Sequence, residues 1–168
     1  MKRLLLMRHA KSSWGEASLA DFERPLNERG LKAAPLVGRF IRKQRLRPEL
    51  ILSSPAERAR QTAALVAEAA RLDAPLRYDE RIYEATPARL VEVVSQVEEG
   101  VGELLLVGHN PGLEGLIELL AGESRRMPTA ALARVALDVE KWNRVREGVG
   151  RVELFVKPKE LDGASGRA

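Results

Sequence analysis

The sequence contains no cysteine, and this absence excludes several kinds of chemistry at once. A chain without thiols has no disulfides, no thiolate metal ligands and no cysteine nucleophile. Aromatic residues make up only 4% of the 168 residues, which is too few for a surface on which nucleic-acid bases stack. No apolar run approaches the roughly 20 residues that a membrane span requires. We therefore expect neither a nucleic-acid partner nor a membrane partner.

The amino terminus combines two positive charges with a short apolar stretch at residues 4–7. It lacks the long apolar segment and the small-residue cleavage site of a signal peptide. We interpret this stretch as the first strand of the fold, and we expect a cytoplasmic protein.

Hydrophobic residues make up 45% of the chain and charged residues 31%, which is typical of a folded globular protein. The length predicts a single domain at residues 1–160, followed by a tail at residues 161–168. The net charge of +4 favours an anionic partner. Basic residues are interspersed with acids along the chain, so charge alone does not identify that partner.

Short apolar runs alternate with helical patterns along the chain. The runs predict six strands, at residues 4–7, 50–52, 76–78, 104–107, 132–139 and 152–156. The helical patterns follow the N-cap candidates Asn27, Ser54, Thr86 and Asn110. Such alternation predicts an α/β fold with three layers, in which helices cover both faces of one mostly parallel central sheet.

The chain has only two histidines, and each directly follows a predicted strand. His9 follows the first strand beside Arg8, and His109 follows the fourth. Arg58 lies at the start of the helix after the second strand. Because ligands bind beyond the carboxyl ends of the strands in such sheets, we expect these four side chains to meet in one crevice.

Two kinds of ligand fit these residue types. Two imidazoles could bind a divalent metal together with Glu84 or Asp21. However, Arg8 and Arg58 would place fixed positive charges beside such a cation, which is unfavourable. The same guanidinium groups match phosphate oxygens in pairs, and neutral imidazole is a competent nucleophile towards phosphorus. The residues therefore favour a phosphate site, and we expect no metal and no other cofactor.

Five segments resemble, in order, the motifs of the histidine phosphatase superfamily. They are LLMRHAKSSW at 5–14, RPLNERG at 24–30, SSPAERARQT at 53–62, VGHNPG at 107–112 and PTAA at 128–131. The short length and the His-Asn-Pro-Gly segment resemble the small SixA-type branch, the phosphohistidine phosphatases. This resemblance implies a phosphoglycerate mutase-like fold. It also implies hydrolysis of a phosphoryl group through a covalent phosphohistidine intermediate.

The same resemblance implies a role for each of the four residues named above. His9 would be the nucleophile that carries the phosphohistidine. Arg8 and Arg58 would grip the phosphoryl oxygens, and His109 would complete the pocket with a hydrogen bond to them.

Three further positions are less clear. Ser12, from its place in the first motif, is expected to make a lesser contact with the substrate. Glu84 is a candidate general acid, and the alternative is a solvated surface carboxylate. Ala10 stands where the family usually has glycine, which restricts the backbone more.

The resemblance implies a phosphorylated substrate, either phosphohistidine in a protein or a small phosphorylated molecule. The chain has no room for the large insertions that form a lid in bigger members, so we expect an open groove. One alternative is a non-catalytic module that binds phosphate or a phosphoprotein. Another is a phosphoglycerate mutase-like phosphotransferase, which would need a closed site and a clear acid.

Overall fold

The structure, a computed structural model, describes residues 1–14 and 18–165. Within them the chain forms six strands, β1 Lys2–Arg8, β2 Leu50–Ser53, β3 Leu76–Tyr78, β4 Glu103–Gly108, β5 Leu132–Leu137 and β6 Gly150–Val156. It also forms five α-helices, α1 Glu28–Lys43, α2 Glu57–Ala70, α3 Pro87–Ser95, α4 Gly112–Ala121 and α5 Pro158–Ser165. None of the helices in the described residues is long and apolar enough to cross a membrane.

The six strands form one sheet in the order β3-β2-β4-β1-β5-β6. The pairs β3-β2, β2-β4 and β4-β1 are parallel, and β5 runs antiparallel to both of its neighbours. The mostly parallel sheet predicted from the sequence is confirmed, with β5 as the exception.

Apolar residues of β1 alternate between the two faces of the sheet. Leu4 and Leu6 pack in a cluster with residues of α3 and α4. Leu5 and Met7 pack in a second cluster with residues of α1 and α2. All four side chains are fully buried, because helices cover both faces. This arrangement confirms the predicted three layers and explains why residues 4–7 of β1 are all apolar.

Two of the four predicted N-caps are found. The Asn27 side chain accepts a hydrogen bond from the Gly30 amide at the start of α1. The Thr86 hydroxyl accepts one from the Arg89 amide at the start of α3. Each bond satisfies a backbone donor that the first helical turn leaves free.

The other two predicted N-caps, Ser54 and Asn110, are wrong. Ala56 is the N-cap of α2 and Pro111 is the N-cap of α4, so both helices begin later than predicted. The Ser54 hydroxyl accepts from the Ala56 amide, but this bond lies before the helix. Both side chains also make contacts across the sheet edge, and a sequence pattern does not reveal such contacts.

The helix α5 covers residues 158–165 and so extends into the segment that the sequence predicts as a tail. Leu161 is partly buried and packs against the cluster under α1 and α2, so the packed part of the chain includes residue 161. Residues 166–168 of the predicted tail lie outside the described residues. The division into a domain at 1–160 and a tail stays a prediction.

The carboxyl ends of β1, β2 and β4 lie side by side. In the register of the sheet, Arg8 lies beside Gly108 and Ser53 lies beside Val107. The chain therefore leaves these three strands at the same edge of the sheet. The next residues along the chain are His9, Ser54 and His109.

The start of α1 lies against the loop that follows His9. The Asn27 amide donates to the carbonyl of Lys11 at 3.0 Å. A Cβ atom at Gly30 would overlap that same carbonyl, so only glycine allows this approach. The loop after the first histidine is thus held in place by the beginning of α1.

We expect Gly30→Ala to lower the free energy of unfolding by about 1–3 kcal/mol, because the added methyl group overlaps backbone that cannot move away easily. Urea unfolding of the two proteins measures the difference. Gly100→Ala is a matched control, since nothing lies within 4 Å of a Cβ atom at Gly100. Its change should stay within about 0.5 kcal/mol. Equal stabilities of the two variants would contradict the close approach.

Candidate active site

A pocket of about 190 Å³ opens at the carboxyl edge of the sheet. The sequence-predicted residues Arg8, His9, Arg58 and His109 all line it, although they are distant along the chain. The remaining lining residues are Lys11, Ser12, Trp14, Arg24, Asn110 and Thr129. The structure therefore brings the two histidines and the two predicted arginines into one place.

The ring of His9 is buried and held in one orientation. Its Nδ1 lies 2.7 Å from the carbonyl oxygen of Ala10. A carbonyl can only accept, so Nδ1 carries the proton and Nε2 keeps its lone pair. The Nε–H of Arg58 donates to that lone pair at 3.3 Å. The arrangement defines a neutral imidazole with a nucleophilic nitrogen at Nε2.

Burial lowers the pKa of His9 to about 3, because a charged ring would lose its hydration. The hydrogen bond to the Ala10 carbonyl raises the pKa by a smaller amount. The neighbouring His109, Arg58 and Arg8 lower it further, since each disfavours another positive charge. The ring is therefore unprotonated at neutral pH.

The guanidinium of Arg58 is buried and is fixed by Asp21. It donates to the Asp21 carbonyl at 2.7 Å and to the Asp21 carboxylate at 3.0 Å. The Tyr83 hydroxyl and the Arg24 guanidinium donate to the same carboxylate. Three of the five N–H donors of Arg58 are thus engaged, and two remain for a ligand.

Asp21 is ionised in this network. The hydrogen bond from Tyr83 has the largest effect in lowering the pKa of Asp21 to about 2, and the bonds from Arg58 and Arg24 add to it. A carboxyl group that loses its proton at such low pH cannot donate one near neutrality. The sequence suggested Asp21 as a possible metal ligand. In the structure, its carbonyl and carboxylate accept hydrogen bonds that hold the guanidinium of Arg58.

Arg8 is held by the loop before β5. Its Nη1 donates to the Met127 carbonyl at 3.1 Å, and the Asn110 amide donates to the same oxygen at 2.8 Å. The Glu114 carboxylate accepts from the Met127 amide at 2.6 Å. These contacts fix the backbone at Met127, and with it Thr129 at the pocket wall.

His109 lies against the first histidine and against Ser54. The two imidazole rings are 5.2 Å apart between centroids. Nε2 of His109 lies 2.7 Å from the Ser54 hydroxyl. Burial is the main cause that lowers the pKa of His109 to about 4, and Arg58 lowers it further. Both rings of the pocket are therefore neutral near pH 7.

Three buried polar side-chain atoms have no partner among the described residues, namely Arg8 Nε, His109 Nδ1 and Asn110 Oδ1. All three belong to residues that line the pocket. Buried polar atoms in folded proteins are nearly always hydrogen-bonded, and an exception needs an explanation such as a catalytic role or a bound ion. Their concentration here indicates a polar ligand.

The charges that line the pocket fit an anion. Four lining side chains are cationic, Arg8, Lys11, Arg24 and Arg58, and none of the described lining residues is acidic. The described residues also contain no group of three or more side chains suited to hold a metal ion. The set of metal ligands suggested by the sequence is not found together among the described residues, and the positive charge of the pocket lining matches a phosphate dianion.

The two remaining candidate site residues, Ser12 and Glu84, lie in different places relative to the pocket. Ser12 is buried in the pocket wall, where its hydroxyl accepts from Arg24 at 3.1 Å. Glu84 is exposed, has a left-handed backbone with φ of 54°, and does not line the pocket. The structure thus brings Ser12 to the site and leaves Glu84 outside it.

The sequence interpretation missed several supporting residues. The sequence pattern predicts Ser54 only as a helix cap, and it does not single out Tyr83. Thr62 accepts from the Ala10 amide at 3.0 Å and donates to the Arg58 carbonyl at 2.7 Å. Thr62 follows Arg58 by one helical turn, and this spacing was the only local signal that could have indicated its role.

Comparisons with known proteins show the family to which the chain belongs. The sequence model of the histidine phosphatase superfamily (branch 1) matches residues 4–87. Phosphohistidine phosphatase SixA of Escherichia coli is 33% identical over 143 residues, which cover 81% of this chain and 86% of that protein.

Solved structures extend the similarity to the whole fold. A protein of Agrobacterium tumefaciens described as a SixA phosphohistidine phosphatase has a TM-score of 0.81 at 31% identity, over 94% of this chain and 98% of that one. The protein histidine phosphatase SixA complexed with tungstate has a TM-score of 0.76 at 27% identity, over 95% and 99% of the two chains.

The chain belongs to the histidine phosphatase superfamily, has its phosphoglycerate mutase-like fold, and is a phosphatase. Within the superfamily it resembles the small SixA-type branch, as the short length and the His-Asn-Pro-Gly segment predicted.

We expect both imidazole rings to stay neutral from pH 8 down to about pH 5. The His9 ring should titrate at about pH 3 and the His109 ring at about pH 4. Nitrogen NMR of the labelled protein measures this, and with only two histidines the variant His109→Asn assigns both signals.

The same shifts predict a loss of stability in acid. An unfolded histidine binds a proton at a pH of about 6.5, so the unfolded chain is favoured as the pH falls from there towards 4 and 3. A ring signal of either histidine that titrates near pH 6.5 in the folded protein would contradict the buried neutral pair.

Proposed function

We propose that this phosphatase is metal-independent, acts through a covalent phosphohistidine at His9, and takes phosphohistidine in a protein as its substrate. The observation that carries the proposal is the fixed neutral ring of His9. Its proton is on Nδ1, and the lone pair on Nε2 accepts a hydrogen bond from the buried guanidinium of Arg58. The half-buried Arg8 lines the same pocket.

Binding begins with the phosphoryl oxygens and the free donors of two arginines. Arg8 has a buried Nε–H with no partner among the described residues, and Arg58 keeps two N–H groups that neither Asp21 nor His9 occupies. Guanidinium groups bind such oxygens in pairs. When the anion enters, the Nε–H of Arg58 turns from His9 towards a phosphoryl oxygen, which frees the attacking lone pair.

In the first chemical step Nε2 of His9 attacks phosphorus. The P–N bond to the substrate imidazole breaks, and its electron pair stays on the substrate nitrogen. The substrate reacts in the form whose other ring nitrogen is protonated, so the cationic ring leaves as neutral imidazole and the positive charge moves to the ring of His9. The surrounding arginines stabilise the charge that spreads over the equatorial oxygens.

In the second step water attacks the phosphorus of the His9 adduct. The P–Nε2 bond breaks and inorganic phosphate is released. The electron pair returns to Nε2, and the proton of the attacking water passes to the phosphate. The Ala10 carbonyl keeps Nδ1 protonated throughout, so the ring begins and ends in the same tautomer.

His109 supplies a neutral hydrogen bond to the phosphoryl group. The Ser54 hydroxyl accepts from the Ala56 amide, and in the tautomer proposed here it donates its own hydrogen to Nε2 of His109. Nδ1 of His109 then carries the ring proton, and it is the atom without a partner among the described residues. Donation from Nδ1 to a phosphoryl oxygen satisfies that buried atom.

Two observations favour phosphohistidine over a phosphate ester. An alkoxide leaving group needs a proton from a nearby acid, whereas imidazole leaves without one. The described lining residues include no carboxylate, and Asp21 is ionised. In addition, the SixA relative is named a phosphohistidine phosphatase.

The two alternatives from the sequence fit less well. A non-catalytic binding module would not need a fixed nucleophilic nitrogen at His9. A phosphoglycerate mutase-like enzyme would need an acid for its ester substrate and a site closed to water. We therefore retain the phosphohistidine phosphatase as the proposal.

We expect His9→Ala to hydrolyse a phosphohistidine peptide at least about 1000-fold more slowly than the unchanged protein, because the covalent step is lost. Release of inorganic phosphate is measured with and without excess chelator, which should make no difference to the unchanged protein. Phosphate binding to the variant, measured by calorimetry, is the control for folding, since Arg8 and Arg58 remain. Full activity of the variant would refute the role of His9 as the nucleophile. Inhibition of the unchanged protein by chelator would refute metal independence.

Glu84→Gln tests the remaining candidate acid. Because Glu84 is exposed and does not line the pocket, we expect the rate on the phosphohistidine peptide to change less than about 2-fold. Thermal unfolding checks that the variant folds. A drop in kcat of about 100-fold, the usual effect of a general acid, would restore Glu84 as a catalytic residue.

A further inference from the structure

A second concavity of about 700 Å³ lies beside the pocket, and we call it the basic groove. One wall is a stripe on the outer side of α1, and the opposite wall is the start of α5. Its cationic lining residues are Lys11, Arg29, Lys32, Arg39, Lys157 and Lys159. None of the described lining residues is acidic.

Lysine residues are concentrated in the basic groove. The chain has seven lysines in total, and four of them line the basic groove. All six cationic side chains are exposed, and the ion pairs found among the described residues involve none of them. Their charge is therefore available to a partner.

The basic groove is continuous with the pocket that holds His9. Two residues, Lys11 and Thr129, line both concavities. A chain that lies in the basic groove thus reaches the phosphate-binding residues at one end. A small phosphorylated molecule that fills the pocket of about 190 Å³ would leave the groove empty.

The lining of the basic groove favours a polypeptide over a nucleic acid. Ala33, Leu36, Pro128 and Pro158 provide apolar contacts between the charges. No aromatic residue is among the described lining residues, so nothing in the groove can stack bases. Apolar contacts interspersed with cations match a peptide segment rich in carboxylates.

We propose that the basic groove binds an acidic segment of the protein substrate, a segment that flanks the phosphohistidine presented to His9. The inference rests on the proposed function for the nature of that substrate. Attraction across the groove raises affinity for the carrier protein and does not alter the chemical step in the pocket. Specificity for the carrier would then come from the groove, and the pocket would recognise only the phosphoryl group.

The test uses a triple charge-reversal variant, Lys32→Glu, Arg39→Glu and Lys157→Glu. These residues line the groove and not the pocket. The matched control reverses three exposed cations at the opposite edge of the sheet, Arg47→Glu, Lys141→Glu and Arg144→Glu. Both variants change the net charge by the same amount, so a general charge effect would appear in both.

Two phosphohistidine peptides, one flanked by glutamates and one by glutamines, serve as substrates beside a small aryl phosphate. We expect the groove variant to lose at least about 10-fold in kcat/KM on the glutamate peptide through KM, with kcat on the aryl phosphate within about 2-fold. The control variant should have the same kcat and KM as the unchanged protein on both peptides and on the aryl phosphate. The preference for glutamate should fall with added salt, which screens exposed charges.

Binding of the unphosphorylated glutamate peptide, measured by fluorescence anisotropy, tests the basic groove separately from the proposed phosphatase function. If no phosphohistidine peptide is hydrolysed, the proposed function fails, and the groove is still judged by a loss of peptide binding in the groove variant alone. Equal KM and equal peptide affinity in the groove variant and the control would overturn the inference. So would single-stranded RNA that binds the groove more tightly than the glutamate peptide.

Discussion

The hydrogen bond from Nδ1 of His9 to the carbonyl of Ala10 leaves Nε2 as the ring nitrogen that has a lone pair. That carbonyl is itself held, because the Ala10 amide donates to the Thr62 hydroxyl and Thr62 donates to the carbonyl of Arg58. One short chain of hydrogen bonds therefore links His9, the proposed nucleophile, to the helix α2 that carries Arg58. The alanine at position 10 is tolerated because its backbone does not adopt a positive φ.

The charges of the pocket follow from burial and from the fixed arginines together. Two imidazoles remain neutral because their surroundings are dry and already positive. Asp21 offsets part of that positive charge, and with Tyr83 it sets the direction of the Arg58 guanidinium. The result is a site that is positive towards phosphate and contains a nitrogen nucleophile that needs no base to remove a proton.

The sequence was sufficient to predict the features that depend on local pattern. The apolar run of β1 and the histidine after it predicted a buried strand that ends at a site, because both lie in one short segment. Ser54 shows where this reasoning ends. A serine before a helical pattern favours a cap, yet its hydroxyl binds His109, which is 55 residues away. Such long-range contacts depend on how the strands pair, and no local pattern encodes them.

The most direct test of the account identifies the nitrogen that carries the phosphoryl group. The protein is mixed with phosphohistidine peptide, quenched in base within milliseconds, and the adduct is examined by phosphorus–nitrogen NMR coupling in labelled protein. The account predicts one adduct, on Nε2 of His9, because Nδ1 is bound to the Ala10 carbonyl. An adduct on Nδ1 of His9, or on either nitrogen of His109, would contradict it.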